Sequence, residues 1–458
     1  MTMSISRRVA AGAAAAALLT LAACSSGTTA DNSSTAAATD TTAAVTSAPA
    51  GTSSGAAVPS QSGQSSGQTG GAASAFKVDV DQCDDPEAVT AKVTGTWKIG
   101  YSLPLSGPVA GVVRFAQDGF KARIAAENAA GGINGVKIDV TFKDDAFTPD
   151  RAKANLTEFL QQDKVDSVVT FGSGPVGAMA DDQNAACVPL LYPSSSVAQY
   201  RDISQYPWTV QFLPSADAEA MYDVKLITQK FPGGATVGIA ENQTASGKGY
   251  SAAFQKAATG TNVKVAVVAP STDPTAAATQ IKAKNVDAVF IAGITSDCGP
   301  VVQALARVGF TPKLVINPSN CADETGYIAA GQAADGGVLP MYLKNPADPA
   351  LKDDAGVKEY LAQVTTDDKN NSITVAGWLT ADLTINTLKQ AAASPQGLTR
   401  QSVIEAARDQ EYASPMLMSG ITWKSSPTQL LGFSGFQTMV WSAKDKAFKP
   451  EGPVIGLG

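Results

Sequence analysis

Short apolar runs alternate with longer segments of helical period along the chain from Thr96 onward. Such alternation is typical of parallel sheets whose strands are joined by crossover helices. The first series of predicted strands comprises Trp97–Leu105, Lys137–Lys143, Ser167–Phe171, Pro189–Tyr192 and Thr209–Phe212.

A second series of apolar runs repeats the pattern of the first. Its predicted strands are Thr236–Ala240, Val263–Val268, Ala288–Ala292 and Lys313–Ile316, and the helices between them include Thr275–Lys284 and Pro300–Val308. A chain of 458 residues also exceeds the usual size of a single core. The pattern therefore predicts two α/β lobes.

The N-terminus has the pattern of an export signal. Arg7 and Arg8 precede the apolar run Val9–Ala23, which predicts a signal peptide over residues 1–23. The end of this run, LAAC at 21–24, resembles the bacterial lipobox, so we expect Cys24 to receive a lipid. An ordinary secretory signal and a membrane-spanning helix are the alternatives, and the run is short for a membrane span.

The next segment has the composition of a linker. Ala, Ser, Thr, Gly and Gln dominate it, and Asp31 and Asp40 are its only charged residues between Ser25 and Ala75. Because so little apolar surface cannot support a core, we predict a disordered, lipid-anchored linker over residues 24–78.

Charge and composition exclude several classes of function. The net charge of −7 argues against a nucleic-acid partner. The chain contains no histidine, which removes Ser-His-Asp and Cys-His catalysis and most zinc sites. We therefore expect neither an enzyme nor a cofactor. Asp144, Asp145 and Asp150 could hold a cation, although strand-end and helix-start roles explain them equally well.

Four cysteines remain after Cys24, an even number in a chain that we expect to be exported. Disulfides are the natural expectation, and a metal site is the rival. Sequence alone allows three pairings. Cys298 and Cys321 each follow a predicted neighbouring strand, so we predict that they form one bridge, which leaves Cys83 to pair with Cys187.

Neutral polar side chains gather where the predicted strands end. In open α/β sheets, ligands bind beyond the carboxyl ends of the strands. Hydroxyls and amides there would hold a small ligand by hydrogen bonds and leave it chemically unchanged. Each of them could equally be a helix N-cap. The strand-end residues are Ser106, Ser173, Ser195 and Ser196, with the apolar Phe212, in the first series, and Thr244, Thr295, Ser319 and Asn320 in the second.

Several motifs together resemble bacterial extracellular solute-binding proteins of the leucine/isoleucine/valine-binding type. They are KIG (98–100) running into PLSGP (104–108), IAAENAAGGING (124–135), Asp144–Asp145 and VPLLYPSS (188–195). The resemblance covers the chain from about Trp97 to the C-terminus. It implies an α/β fold of two Rossmann-like lobes with parallel central sheets, joined by a multi-crossover hinge.

The resemblance also implies lobe boundaries and roles for some residues. Lobe 1 would comprise residues 79–214 and 342–425, and lobe 2 residues 215–341 and 426–458, with crossovers near Pro214, Tyr342 and Phe436–Trp441. Ser173, Ser195 and Ser196 match the positions that hold a ligand carboxylate in this family.

The second lobe departs from the family pattern. Its aromatic positions fall near Thr244 and Thr295, and the acid that pairs with a ligand ammonium falls at Ser319 or Asn320. Glu241 or Asp297 could replace that acid. We therefore expect a small carboxylate or amide solute with little positive charge, with apolar contacts from Phe212 and Trp378.

The resemblance implies a lipid-anchored, monomeric receptor of an ABC importer, on the outer face of the cell membrane. Its partners would be a solute, a permease and ATPase subunits. A ligand-sensing receptor of the same fold is the alternative, and an exported hydrolase lacks a credible catalytic group.

Overall fold

The computed structural model describes residues 75–457, except for the side chains of residues 429–431. The predicted signal peptide, Cys24 and almost all of the predicted linker lie outside the described residues. Phe76 and Val78 are already buried, so the folded body includes the end of the predicted linker. No helix of the described part is long and apolar enough to cross a membrane.

The first sheet contains five parallel strands in the order β2-β1-β3-β4-β5. Its core strands are almost entirely buried, as parallel sheets covered on both faces require. The strands are β1 (Thr96–Leu103), β2 (Lys137–Asp144), β3 (Ser167–Thr170), β4 (Leu190–Leu191) and β5 (Thr209–Val210).

The second sheet contains seven strands in the order β15-β14-β10-β9-β8-β6-β7. Strands β6 to β10 are parallel, and β14 and β15 add an antiparallel edge. The strands are β6 (Ala235–Glu241), β7 (Val263–Pro270), β8 (Ala288–Ala292), β9 (Leu314–Ile316), β10 (Val338–Met341), β14 (Gly435–Ser442) and β15 (Ala447–Gly456).

A small antiparallel sheet lies between β10 and β14 in the chain. It consists of β11 (Gln410–Tyr412), β12 (Trp423–Ser426) and β13 (Gln429–Phe433). The chain passes from the first sheet to the second after β5, leaves the second sheet after β10 and returns to it at β14.

The described residues form twelve α-helices. Polar caps start several of them: Ser215 accepts a hydrogen bond from the Ala218 N–H, and Asn371 accepts one from the Ile373 N–H. The helices are α1 (Pro86–Thr90), α2 (Ala110–Ala129), α3 (Pro149–Glu158), α4 (Ser173–Ala185), α5 (Ala216–Lys230), α6 (Ala245–Ala258), α7 (Pro274–Ala283), α8 (Thr295–Arg307), α9 (Glu324–Ala330), α10 (Ala355–Gln363), α11 (Ser372–Ala393) and α12 (Arg400–Ala407).

The architecture confirms the predicted fold class. All nine predicted strands are present, and β8 has the predicted bounds. The small third sheet, β10 and β15 were not predicted. The lobe boundaries inferred from the resemblance stay a prediction, which the three passages between the sheets support.

Both predicted disulfides are present. Cys83 is bonded to Cys187, with 5.5 Å between their Cα atoms, and Cys298 is bonded to Cys321, with 5.9 Å between theirs. The first bridge joins the N-terminal segment to the turn before β4. The second joins α8 to the turn after β9, as the neighbouring strands predicted.

Helices α2 and α11 approach each other backbone to backbone. A Cβ atom on Gly377 would lie 2.0 Å from the Ala116 carbonyl oxygen, and one on Gly119 would lie 2.0 Å from the Thr374 carbonyl oxygen. Only glycine permits such a distance. These two positions therefore fix how closely the two helices pack.

Gly377→Ala should lower the free energy of unfolding by about 1–3 kcal/mol, because the added methyl group overpacks the α2–α11 contact. Gly111→Ala, in α2 with open space around it, is the control and should be neutral or stabilising by up to about 1 kcal/mol. Urea unfolding measures both variants. Equal stability of the two variants would contradict the assignment.

Removing the two disulfides should destabilise the chain unequally, because the closed loops differ in length. The paired residues are 104 positions apart in Cys83–Cys187 and 23 apart in Cys298–Cys321. The loop-entropy relation gives about 5 and about 3 kcal/mol, respectively. Urea unfolding of the two Cys→Ser double variants tests the order, and a larger loss from the shorter loop would contradict it.

Candidate ligand-binding site

A cavity with about 70 Å³ of space for the centres of water-sized molecules lies where the carboxyl ends of the parallel strands of the two sheets face each other. Phe171, Ser194 and Phe212 line it directly after β3, β4 and β5. Ile294 and Ser319 line it after β8 and β9. This position agrees with the rule that open α/β sheets bind ligands beyond their carboxyl strand ends.

The wall of the cavity is largely apolar and electrically neutral. None of the described side chains that line it belongs to a Lys, Arg, Asp or Glu residue. Apolar and aromatic side chains form most of the first-sheet wall, among them Tyr101, Val113, Phe147, Phe171 and Phe212. Such a surface favours a ligand with an apolar body and a few hydrogen-bonding groups.

The cavity brings together four of the residues that the strand ends predicted: Phe212, Thr295, Ser319 and Asn320. The Phe212 ring packs edge-on against Phe433, with 5.6 Å between the ring centroids. This aromatic contact holds the Phe212 ring in place in the cavity wall. The other six predicted ligand residues do not line it.

Three of those six are buried first-lobe serines. Ser173 and Ser195 share a hydrogen bond of 2.9 Å between their hydroxyls, and Ser246 of α6 donates to the Ser173 hydroxyl over 2.8 Å. Ser196 is also buried, and its carbonyl accepts from the Ala216 N–H. In this structure the predicted carboxylate anchor is thus covered by Ser246, which itself lines the cavity.

The remaining three predicted residues have local structural roles. Ser106 donates to the Asp144 carboxylate, and Thr244 caps α6 by accepting from the Gly247 N–H. Trp378 is fully buried, and its indole N–H donates to the Gln363 side chain.

The acids considered as partners for a ligand ammonium also lie outside the cavity lining. Asp297 accepts from the Ile294 N–H at the start of its own helix, and Gln243 donates to Glu241. The carboxylates of Asp144 and Asp145 already accept hydrogen bonds from backbone N–H groups of the adjoining turns and from serine hydroxyls. Among the described residues, no group of three or more His, Cys, Asp or Glu side chains could hold a metal ion.

Glu219, which lies behind the cavity wall, was not predicted as a site residue. Its carboxylate accepts the Ser319 N–H at 2.8 Å and the Ser319 hydroxyl at 2.7 Å. Burial raises the pKa of Glu219 to about 7. Its spacing in the sequence could have indicated its burial, because Glu219, Asp223 and Ile227 recur every four residues on the buried face of α5.

A second serine of the cavity wall is held in the same way across the two sheets. Ser372, at the start of α11, donates its N–H to Glu324 at 3.0 Å and its hydroxyl at 2.5 Å. Asn371 donates to the Asp323 carboxylate at 2.9 Å. These contacts join the helix that covers the first sheet to the segment that follows β9 of the second.

The sequence of residues 96–429 matches the family model described as a periplasmic binding protein. An amino acid binding protein of Pseudomonas aeruginosa is 27% identical over 233 residues, which is 49% of this chain and 60% of that protein. The leucine-, isoleucine-, valine-, threonine- and alanine-binding protein of the same organism is 22% identical over 268 residues, 56% of this chain and 70% of that protein.

Solved structures share the fold. A branched-chain amino acid ABC transporter protein from Thermus thermophilus, with bound valine, superposes with a TM-score of 0.70 at 14% identity over 79% of this chain and 97% of that one. An ABC transporter substrate-binding protein from Aeropyrum pernix superposes with a TM-score of 0.70 at 17% identity. The match covers 79% of this chain and 96% of that one. The family consists of ligand binders, which confirms the expectation that the chain is not an enzyme. With the family model matching well over half of its residues, the chain belongs to the periplasmic binding protein family.

Proposed function

We propose that this protein is the lipid-anchored substrate-binding component of an ABC importer. It would capture a small carboxylate, amide or amino-acid-like solute between its two lobes and present it to a permease with ATPase subunits. The observation that carries the proposal is the neutral cavity at the facing strand ends, lined from both sheets.

Capture by hinge closure is supported by the contacts that join the two sheets beside the cavity. Ser246 of the second lobe meets Ser173 of the first on one side, and Glu324 of the second lobe meets Ser372 of the first on the other. Each contact consists of hydrogen bonds between polar side chains or at the start of a helix. Such contacts can form and break as a hinge moves.

The import role rests on the relatives named above, which are described as amino acid binding proteins and ABC transporter components. The neutral lining sets the solute class. A buried unpaired charge costs several kcal/mol, so a solute with net positive charge would bind poorly against this wall.

Ala376→Phe should abolish solute binding while the fold is kept, because Ala376 of α11 lines the cavity and a phenyl ring would fill it. A thermal-shift screen of small carboxylates, amides and amino acids identifies the solute. At 100 times its dissociation constant, a ligand stabilises the native protein by about 2.7 kcal/mol.

The matched control is Ala393→Phe, at the exposed end of the same helix, which should bind the solute as the unaltered protein does. Retained binding by Ala376→Phe would place the solute elsewhere and overturn the proposed site.

Solute binding should also reduce the radius of gyration, because closure brings the two lobes together. Small-angle X-ray scattering with and without the solute from the screen measures the change. An unchanged radius would argue against hinge closure.

A further inference from the structure

We propose that Thr295, Ser319 and Asn320 form an acceptor surface that selects a primary amide over a carboxylate, and that Glu219 is the positioning residue that gives Ser319 this polarity. The inference rests on the proposed function, since it takes this cavity as the place where the solute binds. It specifies which chemical group of the solute faces the second lobe.

The polarity of Ser319 follows from its two contacts with Glu219. An ionised carboxylate has no proton, so the serine must be the donor in the 2.7 Å bond between Ser319 Oγ and Glu219 Oε1. The Ser319 N–H donates to the other oxygen at 2.8 Å. With its only hydroxyl proton committed, Ser319 offers lone pairs to the cavity.

The donors of Thr295, and one of the two donors of Asn320, are committed in the same way. The Thr295 hydroxyl donates to the Asn320 carbonyl oxygen at 2.6 Å, and the Asn320 amide nitrogen donates to the Gly293 carbonyl oxygen at 3.4 Å. The side-chain oxygen of Asn320 is buried and accepts no hydrogen bond from any described residue. The hydroxyl protons of Ser319 and Thr295 and one N–H of the Asn320 amide are therefore used elsewhere, which leaves oxygen acceptors on this wall.

An acceptor wall discriminates between ligands of equal shape. A primary amide brings two N–H donors, whereas a carboxylate brings only acceptors and would leave the wall unpaired. The cost of such a mismatch is larger than that of a missing methylene group, which is how polar sites discriminate. The neutral lining adds no cation that could offset the carboxylate charge.

The environment of Glu219 makes this polarity sensitive to pH. Tyr250 of α6 donates to it, Arg201 favours its charged form, and Asp223 and Tyr342 also interact with it. Burial raises the pKa of Glu219 to about 7. Above that pH both carboxylate oxygens accept, whereas below it one oxygen carries a proton and can donate to Ser319.

Matched pairs of ligands with the same apolar body test the selectivity, from acetamide and acetate to 4-methylpentanamide and 4-methylpentanoate. Isothermal titration at pH 8 should show the amide of the best-fitting pair binding at least tenfold tighter than its carboxylate. The ratio should fall as the pH is lowered from 8 to 6, since protonated Glu219 no longer fixes Ser319 as an acceptor.

Glu219→Gln tests the positioning role. A glutamine offers one acceptor and one donor, so it can accept the Ser319 N–H while donating to the hydroxyl, which then turns its proton toward the cavity. The amide-to-carboxylate ratio should drop roughly tenfold and lose its pH dependence. Asp223→Asn, which removes a buried acid one turn away that has no hydrogen bond to any described residue, should keep the ratio at pH 8, where Glu219 is ionised.

The outcomes separate the two proposals. A carboxylate that binds as tightly as its amide, or an unchanged ratio in Glu219→Gln, would overturn this inference and leave solute capture intact. Failure of every carboxylate, amide and amino acid to bind would overturn both.

Discussion

The close contact between α2 and α11 is the constraint on which the first-lobe side of the cavity depends. The two helices touch through Gly119 and Gly377, and side chains of both then line the cavity. They are far apart in the chain, because strands β2 to β10 lie between them in the sequence. A change in the packing of α2 against α11 would therefore alter the cavity lining and the position of α11 on the first sheet together.

The polar chemistry of the cavity is arranged in two layers. Hydroxyls and an amide form the inner layer, and carboxyls such as Glu219 and Glu324 stand behind two of the serines. The inner layer keeps the wall neutral, while the outer layer fixes the direction of its hydrogen bonds. A buried acid can in this way shape a binding site without presenting a charge to the ligand.

The sequence predicted the features that depend on local pattern. Apolar periodicity located all nine predicted strands, and strand ends located Phe212, Thr295, Ser319 and Asn320 at the cavity. The Cys298–Cys321 pairing followed from strand neighbours. Contacts between distant elements were not predictable: Ser246 covering Ser173 depends on how the two sheets face each other, and Trp378 points into a core that local periodicity does not reveal.

The attachment of the N-terminal segment has a mechanical consequence. Phe76 lies against Arg408, Lys77 pairs with Glu405, and the Cys83–Cys187 bond secures the segment covalently beside β4. A pulling force applied to the chain before residue 75 thus enters the molecule through the first sheet. Since Cys187 lies in the turn before β4, the disulfide passes that load to the first sheet rather than to the second.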